Sequence, residues 1–171
     1  KWLSSHQPFH WLAEFYQIIK GNGGFDVIIG NPPYVTFTDA SLKYNVRQYY
    51  TYNTKNLFAL CGERFTSLVR DNASIGYIIP LSGMSIDGFE SLQKIIYSNC
   101  HSWNSYYSGD RNPSELFTGV KIRAGIYISR RKRINGKKYV GRYIKYSAAE
   151  RGILFSKINY VEIKDYISAP K

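Results

Sequence analysis

The sequence predicts an α/β fold, with a parallel sheet that gives way to an antiparallel hairpin. Three observations carry that reading. Two short apolar runs, Val27-Ile28-Ile29 and Ile75–Pro80, are separated by a stretch of helical periodicity, the βαβ order of a parallel sheet. Further on, Val120–Arg130 alternates apolar and polar residues, as a strand with one buried face does. Asn135-Gly136 then supplies the strongest short-range hairpin signal. Strands of about Ile126–Ile134 and Lys137–Tyr146 are expected to pair across it.

Residues Lys1–Lys20 place Trp11, Leu12, Phe15, Ile18 and Ile19 at helical spacing, with Pro8 near the start. A helix lying on the sheet follows. His6 and His10 are read as capping or packing residues and not as metal ligands. Gly21-Asn22-Gly23-Gly24 precedes a strand, so it lacks the strand, glycine loop, helix order of a phosphate loop. Val27–Ile29 is unbroken by polar residues and predicts a strand buried on both faces.

Asn56 suits an N-cap for a helix whose Leu57, Leu60, Cys61, Phe65, Leu68 and Val69 share one face, with Asp71-Asn72 as its exit. Ile75–Pro80 is the second buried strand. A helix from about Gly88 to Tyr97 turns Phe89, Leu92, Ile95 and Ile96 inward. Cys100–Pro113 reads as a short strand and a turn, Ala148–Ser156 as a short helix, and the rest as a tail. Residues 1–146 are expected to form the main α/β unit and 147–171 a C-terminal helix and linker.

The chain turns on FDVIIGNPPY, Phe25–Tyr34. Gly30 ends the strand, and Pro32 and Pro33 fix φ and hold the residue before each of them extended. Ligands of open α/β sheets bind beyond the carboxyl ends of the strands, where this turn falls. The Asn31 side-chain carbonyl and the Pro32 backbone carbonyl offer two acceptors there, beside the Tyr34 ring.

The motif resembles the Asn-Pro-Pro-Tyr signature of amino-group methyltransferases. With FHWLAEF before it and NLFALCGERF after it, the stretch from about Phe9 to Ser129 resembles the adenine-N6 DNA methyltransferases of fused restriction–modification enzymes, the type IIG-like family. That resemblance implies a Rossmann-like sheet, S-adenosylmethionine as cofactor and DNA as substrate. It implies Asn31, Pro32 and Tyr34 as catalytic residues, Tyr34 and Phe117 as rings stacking on the target base, and Asn31, Asn56, Leu57 and Phe58 beside the cofactor. Related proteins often carry an acidic residue where Asn56 stands. The tyrosine-rich stretch Val35–Lys55 would lie near cofactor and DNA, either as a loop that orders on binding or as a plain surface loop.

Set beside the family, the glycine loop and ribose-binding acid expected on the first strands do not occur before Phe25. The chain is therefore expected to be the C-terminal half of the methyltransferase sheet, inactive by itself. An upstream half, or self-association through the open edge of the first strand, would complete it. Two rivals stay open: a non-catalytic DNA-binding fragment, and a glutamine-N5 protein methyltransferase sharing the same turn.

Composition agrees with a polyanion partner. The 171 residues carry a formal charge of +11 and 16 tyrosines, although tyrosines also serve as half-buried strand residues. Arg130, Arg131, Lys132, Arg133, Lys137 and Lys138 would crowd the hairpin, as a grip on the DNA backbone or as an edge defended by cations. Cys61 and Cys100 have no disulfide or zinc spacing, and no metal is expected. No apolar run approaches membrane-spanning length, so a soluble, cytoplasmic protein without membrane contact is expected.

Overall fold

The computed structural model describes residues 10–43, 45–109, 116–117, 121–132 and 136–164. Six strands, β1 (Phe25–Gly30), β2 (Val69–Pro80), β3 (Cys100–Tyr107), β4 (Ala124–Arg131), β5 (Lys138–Ile144) and β6 (Tyr160–Ile163), form one mixed sheet in the order β1-β2-β4-β3-β5-β6. Helix α1 (Trp11–Glu14) precedes β1, α2 (Leu57–Leu68) lies between β1 and β2, and α3 (Ser82–Ser85) and α4 (Glu90–Tyr97) lie between β2 and β3.

The helix predicted over Lys1–Lys20 is shorter where it is described. After α1 the chain forms a π-helical turn, Gln17–Gly21. His10 caps the entry, since the Ala13 amide donates to the His10 carbonyl and lies 3.3 Å from its Nδ1. Gly24 has φ +133°, and a Cβ there would sit 2.5 Å from the Leu68 carbonyl oxygen. Only glycine lets the chain pass so close to the start of β2.

Strand β1 forms as predicted and pairs parallel with β2, Ile28 opposite Ile75 and Ile29 opposite Gly76. Its burial differs: Val27 is 61% and Ile29 83% exposed. The strand is at the sheet edge and only the face bearing Ile28 packs against the main core, so an apolar run that reads as two-sided burial is covered on one side. Strand β2 begins directly after α2, which places Asp71-Asn72 inside a strand and not at a helix exit. Pairing steps from Phe25–Val69 to Val27–Ser74, leaving residues 70–73 as a bulge in which Asn72 takes φ +62°.

Alternate residues of β2, Ala73, Ile75, Tyr77 and Ile79, are buried with Phe58 and Ala59 of α2, Leu92 and Ile96 of α4 and Tyr127 of β4. On the opposite face Ile126, Tyr107, Ile144 and Tyr146 pack with Leu154. Leu154 belongs to a 3-10 helix, Ala148–Lys157, opened by a capping box between Ser147 and Glu150. Strand β6 after it pairs antiparallel with β5, so Tyr160–Ile163 joins the sheet within the stretch expected from sequence to be a tail.

The expected hairpin across Asn135-Gly136 does not form. Strand β3 stands between β4 and β5, antiparallel to the first and parallel to the second. Trp103 of β3 faces Ile128 on one side and Tyr139 on the other, its ring stacked on Tyr139 at 5.6 Å and 7°. Gly136 lies against the start of β3, where a Cβ would meet the Cys100 carbonyl oxygen at 2.4 Å. Asn135 lies outside the described residues. The sheet still ends in an antiparallel pair, β5 with β6. Among the described residues no helix is long and apolar enough to cross a membrane.

Packing decides which apolar substitutions matter. Leu92→Ala, at a fully buried site, should cost about 2–5 kcal/mol. Ile29→Ser, at an exposed one, should stay within about 0.5 kcal/mol. Urea unfolding of the two variants checks both.

Candidate active site

The turn after β1 lies at the carboxyl edge of the sheet, beside the end of β2 and the start of β4. Gly30 ends the strand, Asn31 is exposed, Pro32 is buried and Tyr34 is half-buried. The prolines hold the chain extended, and it then pairs with the entry to α2. Thr36 forms a bridge with Asn56, the Leu57 amide donates to the Val35 carbonyl at 2.9 Å, and the Phe37 amide to the Lys55 carbonyl at 2.9 Å.

The Tyr34 hydroxyl ties the turn together. It lies 2.6 Å from Asn31 Oδ1 and 3.0 Å from the Ile78 carbonyl oxygen of β2. One hydroxyl proton serves these two acceptors, the closer being Asn31. A carbonyl oxygen has two lone pairs, so Asn31 Oδ1 keeps acceptor capacity beyond this bond. Burial pushes the Tyr34 phenol up to about 12, which leaves it protonated and able to donate throughout the physiological range.

Behind Tyr34 stands Phe58, edge-on at 6.3 Å and 84°, itself stacked on Phe89 at 5.1 Å and 18°. A Cβ on Gly83 would come within 2.7 Å of the Phe58 ring, so glycine there admits the chain after β2 against it. Phe58 is 1% exposed and supports Tyr34 from within the core. Its sequence-expected place beside a cofactor is therefore indirect.

Asn56 occupies the N-cap position of α2, but its side chain makes no capping bond and its Oδ1 is buried without a partner. Leu57 is partly exposed next to it. An orphaned acceptor beside the Asn31 turn and an apolar neighbour fit one side of a polar organic cofactor. A glycine loop following a strand, the usual phosphate or nucleotide cradle, is not among the described elements.

The loop from Thr38 to Lys55 is held by two carboxylates. Asp39 accepts from Lys55 Nζ at 2.7 Å, Tyr52 hydroxyl at 2.5 Å and Arg47 Nη2 at 3.0 Å, and the Lys55 and Tyr52 bonds hold its carboxyl well below the usual range. Glu63 of α2 accepts the Tyr50 and Thr51 amides and the Thr51 hydroxyl. These anchors, with Ile78 and Phe89, are not visible in the sequence, because each partner is distant along the chain.

Phe117 is 37% exposed, and its neighbour Leu116 packs with Tyr107, which puts it at the same carboxyl edge as the Asn31 turn. The basic cluster is elsewhere. Arg130 and Arg131 end β4, Lys138 begins β5 and Lys137 directly precedes it, at the opposite edge of the sheet. Lys138 is buried on the Cys100 carbonyl, and Lys137 pairs with Glu162 at 3.0 Å. Arg131 donates to the Thr66 and Val69 carbonyls at the end of α2 and lies 3.9 Å from Asp71. The Lys132 amide donates to the Asn99 carbonyl, and Arg133 lies outside the described residues. With β3 between β4 and β5, the Arg130–Arg131 and Lys137–Lys138 pairs stand two strands apart along that edge instead of side by side on one hairpin.

The family model described as Eco57I restriction-modification methylase matches residues 1–112. The chain belongs to the Eco57I restriction-modification methylase family. A Methanocaldococcus jannaschii protein that carries the name of a type II restriction enzyme and methyltransferase is 29% identical over 126 residues, 74% of this chain and 10% of that protein. This Eco57I-family chain thus spans about one tenth of the length of that curated relative. Among solved structures, a DrdV–DNA complex shares the fold with TM-score 0.62 and 18% identity, over 81% of this chain and 17% of that one. A nuclease-deletion mutant of the Type ISP restriction-modification enzyme LlaGI with a DNA substrate mimic gives 0.64 and 16%, over 88% and 18%. The EcoKI M protein gives 0.52 and 10%, over 73% and 26%. The sheet shares its fold with these restriction–modification proteins.

The buried phenol gives a pH test. An ordinary tyrosine ionises near pH 10 and Tyr34 only near 12, so the folded state keeps a proton that the unfolded state loses. Stability should fall as pH rises through that interval. Tyr34→Phe should remove this component and one tyrosinate transition above pH 11 or so from the ultraviolet titration.

Proposed function

We propose that this chain carries the target-base half of a site-specific adenine-N6 DNA methyltransferase. The observation that supports this best is the Asn31-Pro32-Pro33-Tyr34 turn at the carboxyl end of β1, its asparagine exposed and the side-chain oxygen held by the Tyr34 hydroxyl. The adenine amino lone pair is delocalised into the ring and is a poor nucleophile. Asn31 Oδ1 and the Pro32 carbonyl accept its two hydrogens, which favours a pyramidal nitrogen with its lone pair directed at the methyl donor. As the N–CH3 bond forms and the sulfonium–methyl bond breaks, the amino nitrogen becomes cationic and its surplus proton is lost to solvent, while the two carbonyls serve as hydrogen-bond acceptors.

S-adenosylmethionine, when bound, supplies an electrophilic methyl group. Asn31, Asn56 and Leu57 are the described residues that would border it. The target adenine has to leave the duplex, at a cost of a few kcal/mol. Stacking on Tyr34, with Phe117 at the same edge, returns about 1–3 kcal/mol per base.

The outer edge of β1 is unpaired among the described residues, and Val27 and Ile29 stand exposed beside it. That edge supports a partner polypeptide, bearing the cofactor strands, that adds next to β1. The chain by itself is then inactive, and the whole protein acts as a modification enzyme in a restriction–modification system.

Methyl transfer from labelled S-adenosylmethionine to duplex DNA, followed by nucleoside analysis, tests the reading in the longer protein. The label should appear as N6-methyladenine, and Asn31→Ala should lower turnover by about 10²–10³ while duplex binding persists. Label on a glutamine peptide and none on DNA would instead favour the protein-methylating reading.

A further inference from the structure

Backbone conformation singles out one residue in the loop after the turn. Among the described residues, Lys55, Asn72 and Asn99 take positive φ without being glycine. Asparagine enters the left-handed region readily, because its short polar side chain bonds to the backbone nearby. Lysine has no such help, yet Lys55 stands at φ 50° and ψ 33°. A contact outside the residue has to hold it there.

The side chain shows what that contact is. Lys55 Nζ lies 3.6 Å from the centre of the Tyr52 ring and donates to Asp39 Oδ1 at 2.7 Å, and the Tyr52 hydroxyl donates to the same oxygen at 2.5 Å. Arg47 Nη2 takes the second carboxylate oxygen at 3.0 Å. Phe37, buried, has its ring 6.2 Å from that of Tyr52 and 5.8 Å from Lys55 Nζ. One exposed ion pair does little, but here three donors converge on one carboxylate while the lysine also rests on a ring.

The backbone of Lys55 leads straight to the site. Its carbonyl accepts the Phe37 amide at 2.9 Å, Asn56 bridges Thr36, and the Leu57 amide reaches the Val35 carbonyl at 2.9 Å. Turning Lys55 out of the left-handed region would redirect the chain at Asn56, whose buried Oδ1 has no partner. The Asn31 side has its own support, the Tyr34 hydroxyl between Asn31 and Ile78.

We propose that Asp39 is a positioning residue for the cofactor side of the site: by clamping the Lys55 side chain on Tyr52 it keeps Lys55 left-handed and so fixes Asn56 beside the Asn31 turn. The proposal rests on the methyltransferase reading above, in which Asn56 borders S-adenosylmethionine, and it adds the group that sets Asn56 in place.

Steady-state kinetics of the longer protein, with S-adenosylmethionine varied at saturating duplex, test it. Asp39→Ala should raise the cofactor KM by about three- to tenfold and leave kcat within about twofold, because Asn31 keeps its own support. Glycine takes the Lys55 φ of 50° without a Cβ penalty. Adding Lys55→Gly to Asp39→Ala should therefore bring KM back to within about twofold of the wild type. A carboxylate serving only the charge or the general stability of the loop would gain nothing from that glycine.

A second measurement needs no cofactor. In the purified chain, hydrogen exchange at the Phe37 and Leu57 amides should speed up in Asp39→Ala and slow again in the double variant, while the Thr51 amide, held by Glu63, keeps its rate. Unchanged exchange at Phe37 and Leu57, an unchanged KM in Asp39→Ala, or no recovery in the double variant overturns the proposal. If that happens while the wild-type longer protein makes N6-methyladenine, the methyltransferase reading stands and only the role of Asp39 fails. A wild-type longer protein that makes no N6-methyladenine is the separate result that removes that reading, and the cofactor role of Asp39 with it.

Discussion

Strand β2 pairs parallel with β1 on one side and antiparallel with β4 on the other, and the rest of the molecule hangs on that pairing. The parallel side brings the end of β1 level with the end of β2, so the Tyr34 hydroxyl reaches the Ile78 carbonyl. The antiparallel side brings the start of β4 to the same edge and its end to the opposite one. Because β2 buries alternate residues against α2 and α4, a shift of one residue would turn Tyr77 and Ile79 out of the core. The site's position is therefore fixed by core packing some distance from the chemistry.

Tyrosine serves two purposes in this chain. Tyr77, Tyr97, Tyr107, Tyr127 and Tyr146 are buried, and Tyr77 and Tyr127 lie 4.9 Å apart with burial pushing both phenols well up. These are core residues with a polar end, as their strand positions require. Tyr34 differs because it sits where the chain leaves the sheet. Its ring rests on Phe58 while its hydroxyl orients Asn31. Five of the sixteen tyrosines thus serve the core, and Tyr34 is set apart from them by its place on the turn after β1.

The basic composition divides in a similar way. A run such as Arg130–Arg133 looks like a patch in sequence, yet successive strand residues point to opposite faces and a strand end can meet carboxylates from elsewhere. Arg131 closes the end of α2, Lys137 meets Glu162, and Lys138 is buried on β3.

What the sequence determined by itself was local. Prolines fix the backbone of the turn, the apolar run before it makes a strand, and helical periodicity over 57–68 and 90–97 makes helices, because φ restriction and side-chain spacing act within a few residues. The Asn-Pro-Pro-Tyr order and its flanks were enough to recognise the family. Which strands become neighbours was decided by tertiary structure alone. Asn135-Gly136 favours a tight hairpin, but β3 offers both of its edges, with Trp103 packed between Ile128 and Tyr139, and the sum of those contacts outweighs one turn preference. The same holds for burial of β1, for the Asp39 and Glu63 anchors and for β6. Each depends on a partner far away in the chain, and no window of residues contains it.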